Sequence, residues 1–363
     1  MTPAASEAVL QQESFCGSRL QPRHEASSID PASAAEVPNL NLPHRLVPAT
    51  PAVSTNSVPA CVLVLISLAA AACGPAQPAS VPRPQSSPLE FIGQWGVRGE
   101  GPGELAEPVG IAVDLNARVY LADRRTGLLQ KFESGGVPLF SFQDRAVRSA
   151  SSLAVDSGGA IYIADARAGR ISIYFPDGAL LRNFRVAPQR NGDGSFGFSV
   201  AADGTVFVPD PEGGRIQAFR ANGGLERVWR LPSAPAGEPA RPVAVAAGLD
   251  EFVYVGDART GRIFKYTRQG AQAAVWDAPA DVAAPLRGIA ISRSHLFALR
   301  GATPQLEVWT LDGQRILTDT LGSRLGASPS ASLFLAVSRD EQAFLLDPAQ
   351  TRVLHFRLRL STP

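Results

Sequence analysis

The chain has no cysteine beyond residue 73: its three are Cys16, Cys61 and Cys73. Everything downstream is therefore without a disulfide and without a thiol nucleophile. Lysine is almost missing too, Lys131 and Lys265 being the only two, so basic charge is carried by arginine. The charges balance to a net +1, which gives no electrostatic reason to expect a nucleic acid partner. Of four histidines only His295 and His355 lie in the C-terminal part, whereas a zinc site needs three or four converging ligands. No apolar run reaches the roughly 20 residues of a membrane-spanning helix. No segment sustains a helical stripe, so the periodic segments read as strands.

The N-terminal region is a separate matter. Residues 1–59 are rich in Pro, Ala and Ser, have no period, and read as a disordered leader or as untranslated sequence. Ala60 to Ala72 is apolar and uncharged, the length of a signal-peptide hydrophobic region. It ends in "AAAC" before Gly74, which resembles the lipobox of bacterial lipoproteins, with Ala70 where leucine is commonest. The resemblance implies Cys73 as a lipidated first residue, an exported protein, and attachment to the envelope (outer membrane or periplasmic face) through a lipid anchor alone. The leader is long for a signal peptide, so translation is expected to begin nearer "LPHRLVP". Residues 73–88 have the composition of a Pro-rich tether, and the ordered domain is expected over 89–360.

That domain repeats. "GIAVDLNARVYLAD" (Gly110 to Asp123) aligns with "SLAVDSGGAIYIAD" (Ser152 to Asp165), and four further copies begin near Phe198, Val243, Gly288 and Leu333. One column is small throughout: Ala112, Ala154, Ser199, Ala246, Ala290 and Ala336, spaced 42 to 47 apart. A second holds Asp123, Asp165, Asp210, Asp257, Arg300 and Asp347. Five residues later stand Leu128, Arg170, Arg215, Arg262, Gln305 and Arg352. Arginine in the Asp column coincides with loss of arginine from its partner column, which predicts Asp–Arg pairs across a tight turn. Each unit reads as four short strands, and six units of about 45 residues predict an all-β, six-bladed β-propeller. The small column is expected where innermost strands converge on the axis.

The last unit supplies three strands before the chain ends, and "LEFIGQW" (Leu89 to Trp95) is a strand without a unit. Pairing them closes the ring and leaves no open edge. The run "WGVRGEGPGELAEPVGIAVD" then reads as the crossing from the last blade to the first. A phosphate cradle is disfavoured because no Lys-Ser or Lys-Thr follows the glycines and the next element is a strand.

"GEGPGELAEPVGIAVDLNARVYLADRRTGLLQKF" resembles an NHL repeat. The likeness is close in the first unit, good in the second and fourth, partial in the third, and weak in the last two. It implies a six-bladed propeller, mostly of the binding-scaffold kind, with a minority of related propellers being enzymes. The zinc-dependent amidating lyases that resemble this family would need more histidines. The calcium-dependent lactonase-like propellers would need several axial carboxylates, whereas the expected starts of the inner strands are Glu107, Ser151, Phe196, Arg241, Arg287 and Ser332. A serine hydrolase needs a base beside its nucleophile, and neither His295 nor His355 shows one in the pattern.

The sequence thus predicts a monomeric, non-catalytic scaffold of the cell envelope that binds a protein, peptide or glycan and needs no metal or cofactor. The ligand-face candidates are Arg241, Arg287 and Glu107. The alternative is a hydrolase or lyase with an unrecognised axial site. The Asp column, and the aromatic residues Phe132, Phe219, Tyr266, Trp309 and Phe356 that end the third strands, are expected to be structural.

Overall fold

The computed structural model describes residues 88–189, 197–234, 237–278, 285–301, 303–325 and 332–360. The leader, the hydrophobic segment, Cys73 and most of the tether lie outside them, as does Phe196. No helix among the described residues is long and apolar enough to cross a membrane.

The chain opens with β1 (Leu89–Trp95) and proceeds to blade 1: β2 (Pro108–Val113), β3 (Val119–Asp123), β4 (Leu128–Phe132) and β5 (Pro138–Gln143). A single-turn α1 (Arg145–Arg148) leads into blade 2: β6 (Ser152–Val155), β7 (Ile161–Asp165), β8 (Arg170–Tyr174) and β9 (Leu180–Arg185). Blade 3 is β10 (Ser199–Val200), β11 (Val206–Asp210), β12 (Arg215–Phe219) and β13 (Leu225–Arg230). Blade 4 is β14 (Pro242–Ala247), β15 (Phe252–Asp257), β16 (Ile263–Thr267) and β17 (Gln272–Trp276). Blade 5 is β18 (Leu286–Ile291), β19 (His295–Arg300), β20 (Gln305–Thr310) and β21 (Arg315–Thr320). After α2 (Gly322–Leu325) come β22 (Phe334–Val337), β23 (Gln342–Asp347) and β24 (Arg352–Leu358), and β1 completes this sixth sheet in the order β1-β24-β23-β22. The fold is the expected six-bladed propeller, closed by its N-terminal strand, with Leu89 opposite Leu358 and Trp95 opposite Val353.

The small column has a cause beyond crowding at the axis. Each member lies directly opposite an aromatic residue of the second strand: Ala112 and Tyr120, Ala154 and Tyr162, Ser199 and Phe207, Ala246 and Tyr254, Ala290 and Phe297, Ala336 and Phe344. All six aromatics are buried between blades. A large side chain opposite such a ring would overfill a space already packed at interior density. Ile111 and Val113 point the other way, into the cluster shared with blade 6.

The hydroxyls follow a rule of their own. Tyr120 donates to Asp114 (3.1 Å), Tyr162 to Asp156 (3.2 Å) and Tyr254 to Asp250 (2.6 Å), each carboxylate sitting in the hairpin turn before its tyrosine. Burial, reinforced by the neighbouring carboxylate, pushes these phenols up, Tyr162 to about 12. Where the ring is Phe207 the turn still carries an aspartate, Asp203, but, with no hydroxyl to accept from, it pairs with Arg268 at 3.0 Å. A buried hydroxyl needs a partner and a phenyl ring does not.

Candidate functional site: an arginine-rimmed axial cavity

The innermost strands enclose a cavity of about 470 Å³ at the face where they begin. Every blade contributes an apolar wall: Ile111, Leu153, Phe198, Val243, Leu286 and Phe334. Ser152, Gln189 and Ser332 add polar atoms. Among the described residues that line it, Arg241 and Arg287 are the only charged ones, and there is no Asp or Glu.

The Asp column builds the rim. Asp123 accepts from the backbone N–H groups of Ala106 (2.7 Å) and Glu107 (2.8 Å) with one oxygen, and from Thr126 with the other. Asp257 does the same for Arg241 (2.6 Å) and Thr260. A buried carboxylate thus clamps the residue before the inner strand to the turn after the second strand. The expected Asp–Arg pairs occur only in blades 3 and 6, as Asp210–Arg215 at 2.7 Å and Asp347–Arg352 at 3.5 Å. In blades 1 and 4 threonine meets the carboxylate, and Arg262 turns to Asp277 (2.8 Å). In blade 5 Arg300, fully buried, takes Glu307 (2.7 Å) and the Gly261 carbonyl (2.7 Å), so its partner is two residues beyond the expected Gln305.

Glu107 and Arg241 therefore occupy equivalent positions, yet their side chains diverge. The residue after the clamping aspartate decides. In blade 1 it is Arg124, which draws the Glu107 carboxylate aside at 2.6 Å. In blade 4 it is Ala258, which offers nothing. Arg241 lines the cavity, and its guanidinium has no hydrogen bond or ion pair among the described residues. Arg287, the second residue of β18 rather than its start, also lines the cavity; its Nε donates to the Gly301 carbonyl at 2.6 Å. Of the three candidates the structure brings Arg241 and Arg287 together at the mouth and leaves Glu107 outside the lining.

The glycine-rich crossing has its donors committed. Gly99 N–H donates to Leu105 O (3.0 Å), Gly101 N–H to the Glu104 carboxylate (2.9 Å) and Gly103 N–H to the Gln130 side chain (2.6 Å), while Gln130 returns a bond to Glu104 O (2.7 Å). This loop is a tie between blades 6 and 1, and it leaves no nest of N–H groups for phosphate.

The histidines stand elsewhere. His355 is buried in blade 6, stacked on Phe344 at 4.4 Å, with Nε2 2.9 Å from Gln342 Oε1. Burial, with a smaller contribution from Arg357, pushes its imidazole down to about 4. His295 begins β19 on the opposite face, its Nδ1 2.6 Å from Glu341 Oε1. Ser292 donates to that same oxygen (3.3 Å) and accepts from the His295 N–H (3.0 Å). A nucleophile–base pair requires the serine to be bonded to the imidazole, and here both are bonded to the carboxylate instead. Among the described residues no three His, Cys, Asp or Glu side chains are grouped to hold a metal.

Fold and cavity together define a six-bladed β-propeller with an axial pocket in which the charged residues among those described are Arg241 and Arg287. No protein-family model matches the chain, and no curated protein does. Solved structures do. A streptogramin B lyase matches at TM-score 0.50 and 16% identity, covering 74% of this chain and 97% of that one. Virginiamycin B lyase from Staphylococcus aureus matches at 0.50 and 14%, covering 75% and 90%. The Cps50 (Swd1) β-propeller domain of Myceliophteria thermophila matches at 0.53 and 8%, covering 75% and 100%. At these identities the likeness concerns the fold, which is shared by enzymes and non-enzymes alike.

Proposed function

We propose that the chain is an NHL-type, non-catalytic scaffold of the bacterial cell envelope, lipid-anchored through Cys73, that binds a protein, peptide or glycan at the cavity face. The observation that carries this reading is the cavity: a concave site fed by all six blades, in which apolar side chains alternate with convergent polar groups. On the same face Arg124 and Arg125 are paired with Glu107 and Glu100, while Arg241 and Arg287 line the cavity itself.

The test is capture from envelope extracts with the full-length chain and its Arg241→Glu/Arg287→Glu variant. Lys131 and Lys265 are only 16% and 15% exposed, so cross-linking should use photoreactive rather than amine-directed reagents. A partner held by the parent and by an Arg118→Glu control on the opposite face, but lost from the double variant, is the expected result. Retention by all three would sink the reading. One metal per chain, lost on Glu107→Gln, would favour the hydrolase or lyase alternative. The anchor is tested separately: Cys73→Ser should release the chain from membranes or block its processing, and an unchanged fractionation would count against lipidation.

A further inference from the structure

We propose that the face opposite the cavity rests on an anionic lipid bilayer, so that the cavity mouth is turned away from the membrane. This deepens the proposed function and rests on its envelope location. The route of the chain points the same way. β1 enters at the end far from the mouth, Leu89 lying opposite Leu358 and Trp95 opposite Val353. There Arg359 N–H donates to Pro88 O (2.7 Å), and Leu358 N–H donates to Glu341 O (3.0 Å) in the turn between β22 and β23. Cys73 precedes Pro88 by fifteen residues, a contour of at most about 50 Å. A lipid on Cys73 therefore holds the propeller by the face that bears the inner hairpin turns, not by the face that bears the mouth.

The second residue after each inner strand is exposed on that face: Leu115, Ser157, Ala202, Leu249, Arg293 and Arg339 in blades 1 to 6. Blades 2 and 3 carry small residues there. The other four make a continuous arc, Leu249–Arg293–Arg339–Leu115, across blades 4, 5, 6 and 1. Leu249 and Leu115 are 47% and 46% exposed. The turns of blades 5 and 6 touch through Arg293 N–H and Arg339 O (3.3 Å), yet neither guanidinium has a hydrogen bond or ion pair among the described residues. Like charges on touching turns repel, and an anionic surface relieves that repulsion. Four of the acids in these turns are committed: Asp114 to Tyr120 and Lys131, Asp250 to Tyr254 and Lys265, Glu251 to Arg268, and Glu341 to His295. The fifth, Asp340, is exposed and has no partner among the described residues, so it offsets one of the two arginines. Arg357 of β24, half-buried and likewise unpaired among the described residues, restores the positive balance. Phe91 and Leu360 are exposed beside the point of entry. Exposed leucines flanking unpaired arginines suit a headgroup layer: the apolar tips enter the acyl boundary while the guanidiniums stay level with the phosphates.

Fluorescence quenching by lipid-borne quenchers tests the orientation on the full-length chain, with Cys16, Cys61 and Cys73 replaced by serine so that lipidation plays no part. A single fluorophore is attached through Asn116→Cys, beside Leu115, or through Ala168→Cys, an exposed turn position on the cavity face. The carriers are phosphatidylcholine vesicles with and without phosphatidylglycerol. On the anionic vesicles the Asn116→Cys label is expected to be quenched severalfold more than the Ala168→Cys label. Arg293→Gln/Arg339→Gln and Leu115→Ser/Leu249→Ser should each abolish that preference, and Arg241→Glu/Arg287→Glu should retain it. Residues 60–72 are present in every arm, so attachment through them alone leaves the two labels alike. Failure to bind the anionic vesicles, equal quenching of the two labels, the same preference on neutral vesicles, or its persistence in both arc variants overturns the proposal. Unchanged cell fractionation of Cys73→Ser would refute the anchor without altering the vesicle result. A lipidated Cys73 with no preference on vesicles would leave the anchor standing and this face refuted.

Discussion

Trp95, in the first strand of the chain, lies on Phe132 of the next blade with ring centroids 5.0 Å apart, and its Nε1 donates to Ser134 O at 3.0 Å. The same contact recurs around the ring: Phe142 on Tyr174 (5.2 Å), Phe184 on Phe219 (5.1 Å), Trp229 on Tyr266 (5.9 Å) and Trp276 on Trp309 (5.8 Å). In each case the outermost strand of one blade covers the third strand of its neighbour. The sixth junction differs. Asp319 stands where the covering aromatic would be; it pairs with Arg324 (3.1 Å), whose guanidinium lies over Phe356 at 5.4 Å. That junction alone lacks a hairpin between third and fourth strands, because the fourth strand there, Leu89–Trp95, comes before the first blade in the chain.

The Trp95 contact makes ring closure measurable. Trp95→Ala should cost about 2 kcal/mol, less than a fully buried tryptophan because the ring is partly exposed. Gln94→Ala, on an exposed neighbour in the same strand, should cost less than about 0.5 kcal/mol. Urea unfolding of the two variants checks this. Equal losses would mean that the strand stabilises through its backbone ladder and not through the ring.

The turn glycines beneath these aromatics are required twice over. Gly136, at φ +90°, would carry a Cβ 2.5 Å from the Trp95 ring. Strained backbone and overpacking together should make Gly136→Ala lose about 2–4 kcal/mol. Gly288 has neither constraint, and Gly288→Ala should leave the melting temperature where it was. Thermal melts of the pair decide it; a comparable fall in both would refute the account.

Arg300 and Glu307 are both fully buried, with Trp309 Nε1 also donating to Glu307 at 3.0 Å. Removing one partner leaves an uncompensated interior charge, so Glu307→Gln should lose about 3–5 kcal/mol. Arg300→Met/Glu307→Leu should lose much less, since the desolvation cost disappears along with the attraction. A double variant as unstable as the single one, by chemical denaturation, would show that the pair is worth more than its burial costs.

Much of this architecture was legible. The repeat columns gave blade number and strand order, and the three-stranded last unit gave the closure. The aromatic-x-x-x-Gly signature, Phe132 to Gly136 and Tyr174 to Gly178 among others, was equally visible but marks an interblade contact that no single unit explains. The mouth was harder. Glu107 and Arg241 occupy equivalent positions, and only the identity of the residue after the aspartate, Arg124 or Ala258, sends one aside and leaves the other at the cavity. The Asp–Arg rule failed in blade 4, where Thr260 sits closer along the chain and satisfies the carboxylate, as Thr126 does in blade 1 where the partner column holds Leu128, and in blade 2, where Asp165 accepts from the Ala168 N–H.

His355 should make stability fall on mild acidification. In the folded chain its imidazole is held down at about 4 by burial and by Arg357, against an ordinary value of 6.5. Above pH 6.5 the ring is neutral whether folded or not, and the full stability is present. Between 6.5 and 4 the unfolded chain binds a proton that the folded chain refuses, so stability declines as pH falls. The loss is complete near pH 4 and amounts to about 3 kcal/mol. Carboxylates add their own losses at the lower end, so the diagnostic window is pH 6.5 to 5, where few of them titrate. His355→Phe keeps a flat ring for the stack on Phe344 and gives up one hydrogen bond to Gln342. Its urea midpoint should be nearly level across that window while the parent's declines. Parallel slopes would assign the acid sensitivity to another group.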